Sequence, residues 1–586
     1  MMTCNKNVRK HDIIFFIFIG LLVFLPVIGL GDKLGLYHDA INSEYAGQMI
    51  LSPNNGLYWY HYISFPFLSQ IYRGIPSLWI SIAGTLLTGT TSVLQHNIET
   101  TLVLFACLVT FYFLLEVFSV KKQIRMLVTL ILSVLPSLFT TTLTQYHVGL
   151  PGVLFSMCSG LLYIKWRDDR EDKKLILSAI FMGLAFYTYY CFLFLIPIYI
   201  IFLFIDQCSA KERMKQGLIF VSGFLSGCVL YFVGYTEIFL RSLEQFKNSD
   251  SKRIIVSMIA AIFVWTVSFL IYLWLKAEKW KPVICICILT VLVGIIWLWI
   301  ILPQIRTVYS NIPTHVERLS IGGRFKLVFE FIENILTGRK AELLIYNEIY
   351  ARFLSLFKVL FLVTDFVYVW IIVKNRTKLL HEKVCVLSLV FMIYIICSIV
   401  VVGKQGPQHY LPLLFLMFLI FGIQLDYIFR NIRTTPKLEI YLKKAGILLL
   451  LVCMIINIGN KYAIIHQIEK TGGRGYCTHQ LNELAYEALD RKTEGIKEIY
   501  LFPEWGFYAS FSYLTHNDIS YWVCDVNAET IKYFQNLGYE RFIICYWDNK
   551  NTGLYKRALM NAVSGGLQEK TYYQRDGQVA FYMLCS

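Results

Sequence analysis

The chain has 586 residues, of which 56% are hydrophobic and only 16% carry a charge, and its mean hydropathy is +0.56. Soluble domains are about 25% charged, so this composition indicates an integral membrane protein with many spans. Lys and Arg outnumber Asp and Glu by 54 to 39, which gives a net charge of +15. Because these cations crowd the short connectors between apolar runs, the excess indicates membrane orientation and argues against a nucleic-acid-binding surface.

The first apolar run covers residues 13–30, follows a basic stretch and has no small-residue cleavage site. This pattern predicts an uncleaved membrane helix with the N-terminus in the cytoplasm. Twelve further spans bring the predicted count to thirteen and place the C-terminus outside. Their approximate ranges are 99–118, 125–142, 148–164, 174–190, 191–206, 216–235, 254–275, 282–303, 353–373, 384–402, 410–429 and 445–460.

Two long connectors fall on the outer side in this topology, namely residues 31–98 and 304–352. The first contains three prolines and an aromatic string that includes Tyr60 and His61. It therefore predicts short helices lying in the membrane interface, above the helix bundle.

Hydropathy drops after residue 460, and short apolar runs alternate there with helical patterns. The sequence thus predicts a polytopic α-helical membrane module, residues 1–460, followed by an extracytoplasmic α/β domain, residues 461–586. The strands are predicted at 499–502, 519–523 and 542–545, the helices at 482–491 and 528–537, and a hairpin at Asp576 and Gly577.

The 15 cysteines lie mostly inside apolar runs and show no zinc-ligand spacing. The C-terminal region contains Cys477, Cys524, Cys545 and Cys585, and the sequence leaves their disulfide state open.

Acidic residues follow the first span, where the chain leaves the bilayer. His38, Asp39 and Glu44 lie within about one or two helical turns of one another. An acid at this position is suited to a reaction on a lipid-borne substrate at the membrane surface.

This arrangement resembles the GT-C class of membrane glycosyltransferases, in particular its protein mannosyltransferase and aminoarabinose transferase branch. The resemblance implies a polyprenyl-phosphate sugar donor, a cell-envelope glycan, lipid or protein as acceptor, and a catalytic acid in the first outer loop. Family members often have Asp-Glu followed by Tyr-Ala, whereas here Asp39 and Glu44 are separated and Tyr45-Ala46 follows. The resemblance therefore implies Asp39 or Glu44 as the general base, with Asp39 preferred and His38 as a candidate assistant.

Sugar transfer from a lipid phosphate requires a base for the acceptor and positive charge for the departing phosphate. A single carboxylate suffices because phosphate leaves with its charge delocalised, and direct displacement inverts the anomeric centre. The second outer segment offers Arg306, Arg324 and Lys326 as the cations.

Three further outer positions are candidates for substrate binding, and the first is formed by Tyr60 and His61 in the first connector. Gln408-His409-Tyr410-Leu411-Pro412 is similar to a pattern near the lipid-phosphate groove in this class, and His147 occupies another outer turn. A divalent metal between His147 and Asp39 has no supporting ligand spacing, so neither a metal nor any other cofactor is predicted.

Two other functions compete with a transferase located in the cell membrane. A lipid-linked oligosaccharide flippase or other transporter would use intramembrane charge such as Asp365, but the sequence shows no internal repeat. An O-antigen-polymerase-like protein would rely on outer-loop arginines and would normally lack the C-terminal domain.

Overall fold

The computed structural model shows a mainly helical protein with a mixed β-sheet at its C-terminal end. It describes residues 6–41, 67–70, 73–144, 146–206, 208–246, 320–337, 356–374, 382–401, 406–431, 436–492, 495–560 and 566–586, and scattered positions from 249 to 266. In chain order the helices are α1 (Lys6–Leu30), α2 (Pro76–Thr88), α3 (Val93–Val117), α4 (Lys122–Ser133), α5 (Pro136–Thr144), α6 (Tyr146–Asp169), α7 (Asp172–Thr188), α8 (Ile196–Ile205), α9 (Ala210–Gly227), α10 (Val229–Ser242), α11 (Ile321–Thr337), α12 (Leu356–Lys374), α13 (Glu382–Val401), α14 (Leu411–Asn431), α15 (Pro436–Thr471), α16 (Gln480–Lys492), α17 (Tyr508–Leu514), α18 (Ala528–Asn536) and α19 (Thr552–Met560).

Several helices are long and apolar enough to cross a membrane. Among the described residues there are four, within α1, α3, α14 and α15, or up to six if each of two bent pairs is a single span. The bent pairs are α4 with α5, at 51°, and α9 with α10, at 55°. The chain is therefore a membrane protein, whereas the total of thirteen spans and the sidedness of the termini stay predictions.

The predicted spans that lie within the described residues correspond to helices, with three differences. The run predicted at 125–142 is two helices, because Pro136 has no amide hydrogen to continue α4. The run at 216–235 is likewise divided between α9 and α10, and the last span continues to Thr471, past its predicted end at 460. The spans predicted at 254–275 and 282–303 lie wholly or largely outside the described residues.

Glycine allows close packing between α7 and α9. A Cβ atom on Gly183 would lie 2.2 Å from the carbonyl oxygen of Phe224, and one on Gly227 would lie 2.1 Å from that of Ile180. Such contacts let two membrane helices approach at backbone distance, which strengthens van der Waals packing where lipid supplies no hydrophobic driving force.

The C-terminal region contains a five-stranded sheet, whose strands lie in the order β4 (Tyr521–Val523), β3 (Glu498–Phe502), β5 (Arg541–Tyr546), β7 (Val579–Cys585) and β6 (Gln568–Tyr573). The first three strands in that order are parallel, and β7 pairs antiparallel with both β5 and β6. Alternating side chains fill two cores: Tyr500 and Phe502 face one side, while Ile499 and Leu501 face the other. A separate small hairpin joins β1 (Leu68–Gln70) to β2 (Arg73–Gly74).

These elements confirm the predicted alternation of strands and helices and the hairpin at Asp576 and Gly577. Gly577 has φ +82°, and its amide donates to the carbonyl oxygen of Gln574 at 2.9 Å. The sequence left the disulfide state of the four C-terminal cysteines open, and in the structure none of these four described residues forms a disulfide.

The segment after α1 packs directly onto the C-terminal region. The amide of Gly35 donates to the carbonyl oxygen of Cys477 at 3.0 Å, and a Cβ atom on Gly35 would lie 1.9 Å from the carbonyl oxygen of Thr478. The Asn482 side chain donates to the carbonyl oxygen of Leu34, and the Ser510 hydroxyl donates to that of Leu36. This contact places the residues after the first membrane helix beneath the sheet-bearing region.

Candidate active site

A short 3-10 turn, His38–Ala40, lies where three parts of the molecule meet. It contacts α5, α6 and α17, so it joins two bundle helices to the C-terminal region. Leu36 and Ile41, on either side, are buried in the core of that region. Burial on both sides fixes the turn, and Asp39 remains partly exposed between the fully buried His38 and Ala40.

The Asp39 carboxylate is oriented by its neighbour in the chain. The Tyr37 hydroxyl donates to Oδ2 of Asp39 over 3.0 Å. Burial, and secondarily the charge of Asp39, raises the pKa of Tyr37, so the phenol stays protonated and keeps donating. One carboxylate oxygen is thus fixed while the side chain keeps access to its surroundings.

His38 is fully buried beside the carboxylate. Its ring lies 4.6 Å from Trp505 and 4.5 Å from Tyr508, centroid to centroid, the latter in an edge contact. Burial, with help from the positive charge of Arg73, lowers the pKa of His38 to about 3. His38 is therefore neutral at physiological pH, and no described residue forms a hydrogen bond to its ring nitrogens.

Arg73 is a site residue that the sequence reasoning missed. It lies on β2, is 4% exposed, and is close enough to His38 to act on its proton affinity. A Cβ atom on the neighbouring Gly74 would come within 2.4 Å of the Tyr187 ring, so β2 is pressed against α7. The sequence did carry a signal, since Arg73 is the single Lys or Arg between Lys33 and Lys121.

A half-exposed aromatic surface borders the carboxylate. Trp505 is 39% exposed, and its ring centroid lies 6.2 Å from that of Tyr37 and 4.8 Å from that of Tyr476. The Trp547 indole donates to the carbonyl oxygen of Trp505 at 2.8 Å, which holds this loop in place.

The predicted His409-Tyr410 pair is buried in a 3-10 turn, Pro407–Tyr410, that contacts α6 and α11. Nε2 of His409 lies 2.5 Å from the Tyr189 hydroxyl, and Nδ1 accepts from the amide of Gly406 at 2.6 Å. Tyr410 is 0% exposed and packs against Phe331 of α11. Both ring nitrogens of His409 therefore have partners inside the protein, and the pair fixes the start of α14.

The predicted cations Arg324 and Lys326 lie in the first turns of α11. Arg324 is partly exposed and Lys326 is exposed. Phe331, which contacts Tyr410, follows Arg324 by seven residues, a rise of about 10 Å along the helix. Both α11 and the His38–Ala40 turn contact α5.

The remaining predicted site residues are not described in full. The backbone of His147 is in the first turn of α6, but its side chain lies outside the described residues. Glu44, Tyr60, His61 and Arg306 lie wholly outside them. Within the described ranges, no group of three or more His, Cys, Asp or Glu side chains could hold a metal ion.

Comparison with known proteins gives structural likeness alone. No family model matches the sequence, and no curated protein matches it. The chain is similar to two crystal structures of ArnT from Cupriavidus metallidurans, one bound to undecaprenyl phosphate and one in the apo state. Both have 10% sequence identity and a TM-score of 0.43, over 98% and 99% of this chain and 98% of each ArnT chain. Likeness at this level assigns neither family nor substrate.

Proposed function

We propose that this protein is a GT-C-like glycosyltransferase that moves a sugar from a polyprenyl-phosphate donor to a cell-envelope acceptor. Asp39 acts as the general base and takes a proton from the acceptor hydroxyl or amine as that group attacks the anomeric carbon. The phosphate leaves on the opposite face, so the product has inverted stereochemistry. The N-terminus is cytoplasmic in this proposal, and the reaction and the C-terminal domain are on the outer side.

The observation that carries the proposal is a positioned carboxylate at the end of a membrane helix bundle. Asp39 is held by Tyr37, is partly exposed, and lies on a turn fixed between α5, α6 and α17. A base on such a turn meets a membrane-borne donor with little loss of orientation, which is how positioning lowers a barrier.

The nearby cation supports a phosphate-bearing substrate. Arg73 is buried, and its guanidinium presents a fixed fork of donors that matches phosphate oxygens. In the proposal Arg73 stabilises the charge that builds on the departing phosphate, and Arg324 and Lys326 add positive charge at the start of α11. His38 stays neutral, packs against Trp505 and Tyr508, and serves as a positioning residue that anchors the turn carrying Asp39.

The test is Asp39→Asn in the purified, membrane-reconstituted protein supplied with a labelled polyprenyl-phosphate sugar. We expect transfer to fall by about 10²- to 10⁴-fold, the usual contribution of a general base. The control is Asp32→Asn, which removes the same charge in the same segment from an exposed carboxylate. Wild-type turnover by Asp39→Asn at an unchanged Tm would remove Asp39 from the mechanism.

The transporter alternative receives no specific support from the described residues. Asp365, the intramembrane acid that it would use, accepts a hydrogen bond from the Gln424 amide at 2.8 Å. This bond joins α12 to α14 and gives the acid a structural partner.

A further inference from the structure

The C-terminal sheet contains a point at which the chain leaves two neighbouring strands toward opposite faces. Strands β3 and β5 pair in parallel. The chain continues from β3 into α17, which packs in the core that contains Tyr500 and Phe502. From β5 it continues into α19, which packs in the core on the other face, with Ile499 and Leu501. In open α/β sheets ligands bind outside the carboxyl ends of strands at such a point, because the diverging connections leave a gap there.

Aromatic residues occupy the segments that follow both strands. Trp505 follows β3 by three residues, and Trp547 comes directly after β5. The Trp547 amide donates to Oε2 of Glu504 at 2.6 Å, and its indole donates to the carbonyl oxygen of Trp505 at 2.8 Å. Tyr476 makes edge contacts with both indole rings, at 4.8 and 5.1 Å between centroids. These contacts join the two segments into one aromatic surface at the carboxyl ends of β3 and β5.

Close packing fixes this aromatic surface. Gly506 has φ +110°, and a Cβ atom there would lie 2.6 Å from the Tyr476 ring and 3.2 Å from the Trp547 ring. Trp547 in turn stacks on the buried Phe507 at 4.2 Å. Trp505 is 39% exposed, and none of its three ring contacts with described residues is a parallel stack. The Trp505 ring is therefore held in place and has room for a flat partner.

Carboxylates flank the exposed ring. Glu504 precedes Trp505 in the chain, and Tyr37 both donates to Asp39 and contacts the Trp505 ring. No described residue donates a hydrogen bond to Oε1 of Glu504, so this oxygen can accept one from a ligand. Because Arg73 is assigned to the donor phosphate, the two carboxylates set the charge preference for the second substrate. They favour a neutral molecule that carries hydroxyl groups and disfavour an anion.

We propose that Trp505 stacks on a neutral pyranose ring of the acceptor and that Glu504 accepts a hydrogen bond from a hydroxyl of this ring. A pyranose combines a face of C–H bonds, which packs on the negative face of an aromatic ring, with a rim of hydroxyl donors. The role of this sugar as acceptor rests on the proposed transfer function. The inference narrows the acceptor to a molecule that presents a neutral sugar ring, beside the proposed base Asp39.

Three variants separate the parts of this site. Trp505→Leu removes the aromatic ring and keeps an apolar side chain at the same position. Trp79→Leu is the matched control, because it removes a tryptophan ring that is 46% exposed on α2. Glu504→Gln keeps an oxygen that can accept from the Trp547 amide and removes the negative charge.

The experiment is saturation-transfer NMR on the full chain in lipid nanodiscs, with each probe supplied alone. The probes are the methyl β-glycosides of glucose, galactose, N-acetylglucosamine and glucuronic acid, and a blocked serine–threonine dipeptide. We expect saturation of at least one neutral glycoside, strongest on the protons of one ring face. Its dissociation constant should rise about five- to tenfold in Trp505→Leu, the usual effect of an aromatic contact, and stay unchanged in Trp79→Leu.

The charged probe tests the carboxylate. The glucuronide should bind about fivefold more weakly than the glucoside in the wild type, as expected for like charges near a protein surface. Glu504→Gln should reduce this difference. If Trp505→Leu does not fold, Glu504→Gln decides, and an unchanged preference for the neutral glycoside then overturns the proposal.

The proposal is also overturned if none of the three neutral glycosides is saturated, or if Trp505→Leu binds them as the wild type does. Saturation of the dipeptide in their place, lost in Trp505→Leu, overturns it in favour of a protein acceptor. Binding requires neither donor nor turnover. A glycoside bound through Trp505 in a protein that transfers no sugar therefore refutes the proposed function alone, whereas transfer without such binding refutes this inference alone.

Discussion

At the scale of single residues, neighbours in the chain have opposite environments around the carboxylate. Asp39 is partly exposed, whereas His38 is completely enclosed by Trp505 and Tyr508. Burial gives His38 a lowered pKa, so it cannot act as a proton carrier near pH 7. Proton transfer at this turn is thus assigned to the Asp39 carboxylate alone, and the His38 ring contributes packing against Trp505 and Tyr508.

The lowered pKa of His38, about 3 in the folded protein, makes stability depend on pH. In the unfolded chain His38 takes up a proton near pH 6.5, whereas in the folded chain it stays neutral down to about pH 3. The stabilisation by neutral His38 is therefore fully present above about pH 6.5 and is lost as the pH falls toward 3. The variant His38→Phe keeps a ring between Trp505 and Tyr508 but has no proton to bind. Its free energy of unfolding should therefore fall less steeply on acidification than that of the wild type, by up to about 1.4 kcal/mol per pH unit.

The measurement is Tm in detergent at pH 7 and pH 5. The wild type should lose more thermal stability between these values than His38→Phe does. His466→Phe, at an exposed position on α15, controls for the added phenyl ring. Equal losses in wild type and His38→Phe would show that His38 is accessible to protons in the folded state.

At the scale of elements, the segment after α1 is fixed by backbone contacts that only glycine permits. Gly35→Ala places a methyl group 1.9 Å from the Thr478 carbonyl oxygen, so either the segment or the start of α16 has to move. Overpacking of this kind costs about 1–3 kcal/mol. We expect a lower Tm and slower sugar transfer, because the displaced segment carries Asp39.

The control for this change is Gly29→Ala, since a Cβ atom on Gly29 meets nothing within 4 Å. It should keep the wild-type Tm and activity. If Gly35→Ala has the wild-type Tm and transfer rate, the contact between Gly35 and Thr478 does not position the segment that carries Asp39.

Elements with a local pattern were predictable, and elements set by distant contacts were not. The strand predicted at 499–502 is Glu498–Phe502, because a short continuous apolar run of strand length is visible in consecutive residues, all of which are buried. The end of α15 was missed because Lys461 interrupts the apolar run. In the structure Lys461 is buried, donates to the carbonyl oxygen of Leu22 at 3.0 Å and lies over the Phe139 ring.

In the candidate site, too, local features were predictable from the sequence and contacts between distant residues were not. Asp39 was accessible to sequence reasoning because its position follows directly from the first span. For Arg73 the sequence shows an isolated cation but not its neighbour, because the approach of Arg73 to His38 depends on the fold. The partner of His409 is likewise distant in the chain, since Tyr189 lies 220 residues away. Residue chemistry is local information, whereas a residue's partners depend on the tertiary fold.

At the scale of the whole molecule, the membrane bundle and the C-terminal sheet share a hydrophobic core. Leu36, Ile41 and Val93 belong to the same buried cluster as Tyr500 and Phe511. The hydroxyl of Thr91, just before α3, also donates to the carbonyl oxygen of Tyr513 at 2.8 Å. The two parts therefore depend on each other for burial, and damage in one should be measurable in the other.

Leu36→Ala tests this coupling, because Leu36 is 1% exposed and packs into the core beneath the sheet. Removing a buried leucine side chain costs about 2–5 kcal/mol, and here it destabilises a cluster whose other members lie mostly between Leu481 and Cys585. We expect faster hydrogen exchange in peptides covering α17 and β3, measured by mass spectrometry on the reconstituted protein. Leu102→Ala, at a 55% exposed position on α3, should leave that exchange unchanged. If Leu36→Ala accelerates exchange only near residue 36, the sheet is stable without the bundle, and Asp39 is then held from the membrane side alone.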